Sequence, residues 1–359
     1  MSPSNSPTFR LLCFLAAGKA VVILFLFAFA HTPNVIQGLG TKWDSNYYEI
    51  IATQGYNATS APYVFSPVFP LAIKAFYSLI GSAWVSALLV TNLLSFVFPI
   101  LLYHTFGYRT ALFAELFPTY LVFTTVAYSD VIALVFLAAC LLLLMRNKLT
   151  GASAAMGGAI FTFYNLAWTL PSFLLAPLKG RRLKRLMFFV IPIITGIAIL
   201  VWFKIETGDY FSLLKLETPW QVGFANPLAQ VEYLLCPQGQ GTFTCQGWQF
   251  LGVPLPPPYW AVRNLIFEAF YIIGALYILK TGTKGRVFLT CYSFSVITPL
   301  LFLVGLPALS VPRLLLPAFP VFVGLSDKLK GRRSTMAYVA SCYGLAVLIS
   351  MIQYFTFFA

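Results

Sequence analysis

Only ten of the 359 residues are acidic. Two of them, Asp44 and Glu49, fall in one polar stretch, Lys42-Trp43-Asp44-Ser45-Asn46-Tyr47-Tyr48-Glu49-Ile50-Ile51-Ala52-Thr53-Gln54-Gly55-Tyr56. The stretch follows a first apolar run and precedes a chain that is almost entirely hydrophobic. A carboxylate set between a tryptophan and a tyrosine pair at such a boundary is suited to take a proton from an incoming alcohol. If the sugar being transferred leaves a phosphate behind, one carboxylate suffices. Glycoside hydrolysis differs, because there an acid must protonate the departing oxygen. Asp44 is therefore the candidate general base. The other reading is a loop aspartate capping a short helix that begins at Ser45 or Asn46.

Other side chains could complete such a site. Asp130, after Tyr128-Ser129, could hold an acceptor or tune Asp44, since paired carboxylates raise one another's pKa. It could equally cap the apolar helix that follows. Arg313 opens an apolar segment, where a guanidinium can give paired hydrogen bonds to a lipid phosphate or simply snorkel to the interface. Arg263 and Lys215 are further phosphate candidates, each also explicable as a topology or headgroup contact. Trp43, Tyr47, Tyr48 and Tyr56 could stack on a sugar or line a lipid groove, or serve only as interfacial aromatics. Asn46 and Gln54 could bond sugar hydroxyls or satisfy their own loop. Glu49, five positions beyond Asp44, would not share its helical face and is assigned a structural role. Glu115 and Glu268 are intramembrane acids, a class that usually faces a partner or a cavity. His31 and His104, the only histidines, are expected on opposite faces, so no two-histidine metal site and no metal cofactor is expected. The sequon Asn57-Ala58-Thr59 is too short a match to carry weight.

These residues need elements to position them. Hydrophobic residues are 59% and charged residues 9%, and mean hydropathy is +0.83. Soluble domains carry about 25% charged residues, so the chain is expected to be an all-α polytopic membrane protein, with the bilayer as its main partner. The net charge of +13 falls in short basic clusters between apolar runs, the positive-inside pattern, and does not point to nucleic acid. Placing Arg10, Arg109, Arg146 and Lys148, residues 179–185, 280–286 and 328–333 in the cytoplasm gives about eleven spans: 10–30, 84–105, 110–127, 130–146, two short helices within 150–178, 186–204, 259–280, 287–306, 313–326 and 334–356. The first run reads as a retained span, not a signal peptide. Two large external loops remain, 31–83 and 205–258. Within the first, Val64 to Tyr77 reads as a juxtamembrane helix lying in the interface. Most acidic residues then gather on the external face. Cys236 and Cys245 share the second loop, and a disulfide between them is expected if that loop faces an oxidising compartment. The chain 1–359 reads as one domain.

Trp43-Asp44, then Tyr, Ile-Ala and Gly-Tyr at this spacing, followed by Phe65-Ser66-Pro67-Val68-Phe69-Pro70, resembles the PIG-V family. These are the GPI mannosyltransferase II-like enzymes of the GT-C superfamily. Tyr128-Ser129-Asp130, Pro219-Trp220-Gln221 and Pro312-Arg313-Leu314-Leu315-Leu316-Pro317 are similar to later features of the family. Two departures stand out: Leu314 replaces the usual aromatic, and Phe163-Tyr164-Asn165-Leu166-Ala167-Trp168 lacks an expected arginine. The resemblance implies a GT-C fold and an inverting, metal-independent transfer from a dolichyl- or polyprenyl-phosphate sugar, typically mannose. The acceptor would be a lipid-linked or glycan acceptor on the external or lumenal side, with Asp44 as base and Trp220 and Gln221 near substrate. A prokaryotic plasma membrane is the expected location, the endoplasmic reticulum the alternative. A transporter or flippase, or a non-catalytic transferase subunit, is the competing class. Against transport stand the missing repeats and the few midplane charges.

Overall fold

A computed structural model describes residues 6–30, 34–42, 44–56, 64–177, 182–211, 223–235, 249–250, 253–254 and 259–356. Helices dominate it. Among the described residues five helices are long and apolar enough to cross a bilayer: α1 (Pro7–Ala30), α5 (Ala83–Phe106), α10 (Arg182–Thr207), Tyr259–Ile278 and Arg332–Thr356. Four shorter apolar helices accompany them: α4 (Val68–Ile80), α8 (Asp130–Met145), α9 (Leu149–Thr162) and Arg286–Leu301. The chain is an integral, multi-pass membrane protein.

The long helices divide their faces as a membrane helix must. On α1, Leu11, Leu15, Val22 and Leu26 are buried at helical spacing, while Leu24, Phe25, Phe27 and Phe29 face outward, where lipid would lie. Close backbone approach fastens the bundle elsewhere. A Cβ on Gly324 would stand 2.7 Å from the Gly274 carbonyl and 2.8 Å from the Ile278 nitrogen. Only a residue without a side chain lets Val321–Lys328 lie so near Tyr259–Ile278.

Two expected spans are broken instead of continuous. The 110–127 segment divides into α6 (Tyr108–Glu115) and α7 (Pro118–Phe123). The 313–326 segment becomes a chain of short turns through Pro312, Pro317 and Pro320, and Pro307–Ala318 meets Val321–Lys328 at 73°. Proline supplies the reason in both, because it lacks the N–H that would continue the ladder and its ring clashes with the preceding turn. The expected span 287–306 also ends early, at Leu301. Leu303–Val304 then pairs antiparallel with Gly223–Phe224, tying part of the 205–258 segment to the bundle. The 150–178 pair is α9 followed by a 3-10 helix over Tyr164–Leu175. The helix expected over Val64 to Tyr77 is present as α4, starting later and ending later than expected, and it buries Phe69, Pro70 and Ile73 while exposing Leu71 and Leu79.

The basic clusters assigned to one side do meet. Arg109 Nη2 donates to the Lys330 carbonyl at 2.5 Å, and the hydroxyls of Thr110 and Ser326 share a 2.9 Å hydrogen bond.

Candidate active site

The polar stretch folds as two short helices, α2 (Val35–Thr41) and α3 (Asp44–Gln54). Asp44 lies in the first turn of α3, where a carboxylate complements the exposed N–H groups. One side of α3 is buried. Tyr48, Ile51 and Ala52 join Phe65, Phe69, Ile73, Ala87, Val90, Ala127, Val131 and Ile132 in a single apolar cluster. This cluster clamps α3 beneath α4, α5 and the start of α8.

Polar tethers then fix its register against the segment 124–130 that links α7 to α8. Ser45 Oγ donates to the Ala127 carbonyl at 2.9 Å, and Ala127 N–H donates to the Leu39 carbonyl at 3.0 Å. The Tyr48 hydroxyl and Ser129 Oγ share a buried 2.7 Å hydrogen bond. Burial and the neighbouring Asp44 push the Tyr48 phenol up, so it stays a neutral hydroxyl. Thr91 Oγ1 donates to the Tyr128 carbonyl at 3.3 Å. From α1, Lys19 Nζ donates to the Thr124 carbonyl at 2.5 Å and to Asn92 Oδ1 at 2.8 Å. Lys19 is 5% exposed. It was not among the residues singled out from sequence, although a lone lysine inside an apolar run is itself a signal.

On this frame the structure joins residues far apart in sequence. Arg313 Nη1 donates to Asp44 Oδ2 at 2.8 Å, and Asp130 Oδ1 lies 3.7 Å from Arg313 Nε. The first contact is a charge-assisted hydrogen bond. The second is only a charge contact, since neither Arg313 Nε nor Asp130 Oδ2 has a hydrogen-bond partner among the described residues. The Arg313 guanidinium also stands 4.8 Å over the Tyr128 ring and 5.7 Å from Phe123. Side chains of Asp44 and Arg313 are each 13% exposed, that of Asp130 6%. The pair thus reaches the protein surface at one edge, with Asp130 behind it. Asp130 sits in the first turn of α8, whose preceding residue, Ser129, makes no side-chain cap.

The remaining candidates divide. Asn46 and Gln54 are exposed on α3. Tyr47 stacks on Phe65 with ring centroids 5.0 Å apart, and Tyr56 donates its hydroxyl to the Phe65 carbonyl at 2.9 Å. Arg263 is buried and spends its donors inside the protein. It bonds Asn264 Oδ1 at 2.9 Å and the Leu309 carbonyl, and stands 4.5 Å over Trp260. Together with Asn264, which donates to the Ala308 carbonyl at 2.7 Å, it anchors the turn just before Arg313. Gln230 of the second external loop donates to the Leu300 and Leu303 carbonyls at 2.6 and 2.9 Å. Glu115 is buried with neither oxygen hydrogen-bonded among the described residues, and Glu268 leaves one oxygen so. Among the described residues no group of three His, Cys, Asp or Glu side chains could hold a metal ion. Trp43, Lys215, Trp220, Gln221, Cys236, Cys245, His31 and the sequon at 57–59 lie outside the described residues.

No protein-family model matches the chain, and no curated protein does. Solved structures do. The crystal structure of ArnT from Cupriavidus metallidurans bound to undecaprenyl phosphate matches with a TM-score of 0.56 at 14% identity, covering 94% of this chain and 63% of that one. ArnT in the apo state gives 0.54 at 14% identity, covering 93% and 62%. ArnT is a GT-C glycosyltransferase. The chain shares the fold of ArnT over most of its length. At this identity the likeness is one of fold, and the chain spans about 63% of ArnT's length. A shared fold leaves the chemistry to the residues it carries.

Proposed function

We propose that the protein is a membrane glycosyltransferase of the PIG-V-like kind. It takes a sugar, mannose by the resemblance, from a dolichyl- or polyprenyl-phosphate carrier and passes it to a lipid-linked or glycan acceptor on the external or lumenal face. The observation that carries this reading is the 2.8 Å Asp44–Arg313 pair at the protein surface. It sets a candidate base and a candidate phosphate ligand side by side, although 269 residues separate them. The undecaprenyl phosphate bound to ArnT supports a polyprenyl carrier.

In this reading Asp44 takes the acceptor's proton as its oxygen attacks the anomeric carbon from the face opposite the phosphate, inverting that centre. The bond to the phosphate oxygen breaks and its electron pair stays on the phosphate, whose growing charge a guanidinium stabilises. No metal takes part, and the membrane is a prokaryotic plasma membrane. Purified protein in detergent, given polyprenyl-phosphate mannose and a panel of acceptors, is expected to form a glycosylated product. Detergent removes any transport readout, so a flippase or transporter would give none. Asp44→Asn is expected to keep the fold and lose transfer; normal turnover by that variant would sink the assignment.

A further inference from the structure

A phosphate held by Arg313 through both Nη nitrogens competes with Asp44 for Nη1. Arg313 commits Nη1 to Asp44, its Nε faces Asp130 without a hydrogen bond, and its aromatic neighbours Tyr128 and Phe123 limit where the guanidinium plane can lie. As long as Nη1 holds Asp44, Oδ2 is engaged by the guanidinium and is not open to an incoming hydroxyl. We infer that the ion pair is a latch that the donor opens. The phosphate of the polyprenyl carrier takes Arg313 from Asp44, and only then is Asp44 free to accept the acceptor's proton, so that donor binds before acceptor. This deepens, and rests on, the glycosyltransferase reading above.

Asp130 gives the exchange its pivot. It is more deeply buried than Asp44 and among the described residues its Oδ2 has no hydrogen-bond partner, so it holds Arg313 at the site by charge while leaving the arginine's hydrogen-bonding nitrogens to be reassigned. Asp44 sits at the more exposed edge and is anchored through its helix, at Ser45 and Tyr48, and not through Arg313 alone. It therefore stays in place when the arginine leaves.

The charges balance across the reaction. At the start Asp44 is ionised and the donor is a singly charged phosphodiester. A bond forms between the acceptor oxygen and the anomeric carbon, the carbon–phosphate-oxygen bond breaks, the acceptor's proton moves to Asp44, and the leaving phosphate gains the negative charge that Asp44 loses. The anion at Asp44 disappears as that on the phosphate grows, and a mobile Arg313 follows it. Proton loss from Asp44 to water then restores the pair, which expels the product phosphate.

The test is binding of undecaprenyl phosphate to the purified protein in detergent. Asp44→Asn removes the competing anion, and if the pair is closed about nine-tenths of the time the affinity should rise about tenfold, equivalent to ~1.4 kcal/mol. Asp130→Asn removes an equal charge but also the pivot, so it should bring no gain. Arg313→Gln should abolish binding with or without Asp44→Asn. In the unmutated protein, labelled with ¹³C at its aspartate carboxyls, undecaprenyl phosphate should shift an aspartate resonance, a readout that needs no variant to fold. Equal gains from Asp44→Asn and Asp130→Asn would show simple charge repulsion and overturn the latch, as would unshifted aspartate signals on binding. Absence of any binding by the unmutated protein would overturn the donor assignment itself, a different failure.

Discussion

Replacing Arg313 with glutamine would leave two carboxylates facing each other at the edge of the membrane domain with no cation between them. Breaking a fully buried pair by removing one member costs about 3–5 kcal/mol, whereas exposed pairs contribute about 0–1 kcal/mol. Asp44 and Arg313 are 13% exposed and Asp130 6%, which puts the expected loss near the buried end but below it, at about 2–4 kcal/mol. The sign of its pH dependence follows from linkage. Without the cation, one of the two acids keeps its proton to a higher pH in the folded protein than in the unfolded chain. The folded variant then binds more protons, so its deficit is largest at neutral pH and shrinks as pH falls into the ordinary carboxylate range. The measurement is the half-life of the folded protein in detergent at fixed temperature, across pH, for wild type, Arg313→Gln and Arg313→Gln/Asp130→Asn. The double variant lacks the repulsion and should regain most of the lost stability at pH about 7. An Arg313→Gln protein as durable as wild type at neutral pH, or a double variant no better than the single one, would mean the three charges are not coupled as drawn.

Three further outcomes are expected. Tyr48→Phe removes the buried bond to Ser129. It should cost about 1–2 kcal/mol of stability and lower turnover of donor and acceptor more than donor affinity, as read by steady-state kinetics. Lys19→Met takes away the donor that the Thr124 carbonyl and Asn92 Oδ1 share. Because the segment from Thr124 carries Tyr128 and Asp130, turnover should fall roughly tenfold even where the melting temperature moves little, since small displacements of catalytic groups are costly. Gly324→Ala drives a methyl into the backbone of Tyr259–Ile278 and should lower stability by about 1–3 kcal/mol, measured by the same inactivation assay.

What could be read in advance follows a physical divide. Membrane class was legible because apolar runs are a property of contiguous sequence, and two of the basic clusters expected on one side do meet, Arg109 with Lys330. Asp44 was legible for a related reason, since a carboxylate in so apolar a chain is conspicuous. Its closest ionic partner, Arg313, was legible as a residue but not as a partner, because nothing local encodes a contact across 269 positions. The breaks at Pro118 and around Pro317 and Pro320 were written in the sequence. Uniform hydropathy masked them, since a run of apolar residues looks the same whether it crosses straight or bends by 73°.

The least legible part of the site is its scaffolding, and the reason is chemical. Segment 124–130 is held by backbone carbonyls at Thr124, Ala127 and Tyr128, by the Ala127 N–H and by the Ser129 hydroxyl. Backbone groups are the same at every position, so sequence shows a donor such as Lys19, Ser45 or Thr91 without showing which carbonyl it meets. In a bundle surrounded by lipid those donors have few alternatives, because water is not at hand to satisfy them. Each unpaired carbonyl in that segment would be costly, and three donors, Lys19 of α1, Ser45 of α3 and Thr91 of α5, converge on its carbonyls while its Ala127 N–H donates to Leu39 of α2. A segment so tethered holds Asp130 and Tyr128 in fixed register with Asp44, and leaves the Arg313 side chain as the freer member of the charged group. In the proposed reading, two tethered acids with the guanidinium between them would let negative charge pass from a carboxylate to a departing phosphate without moving the backbone.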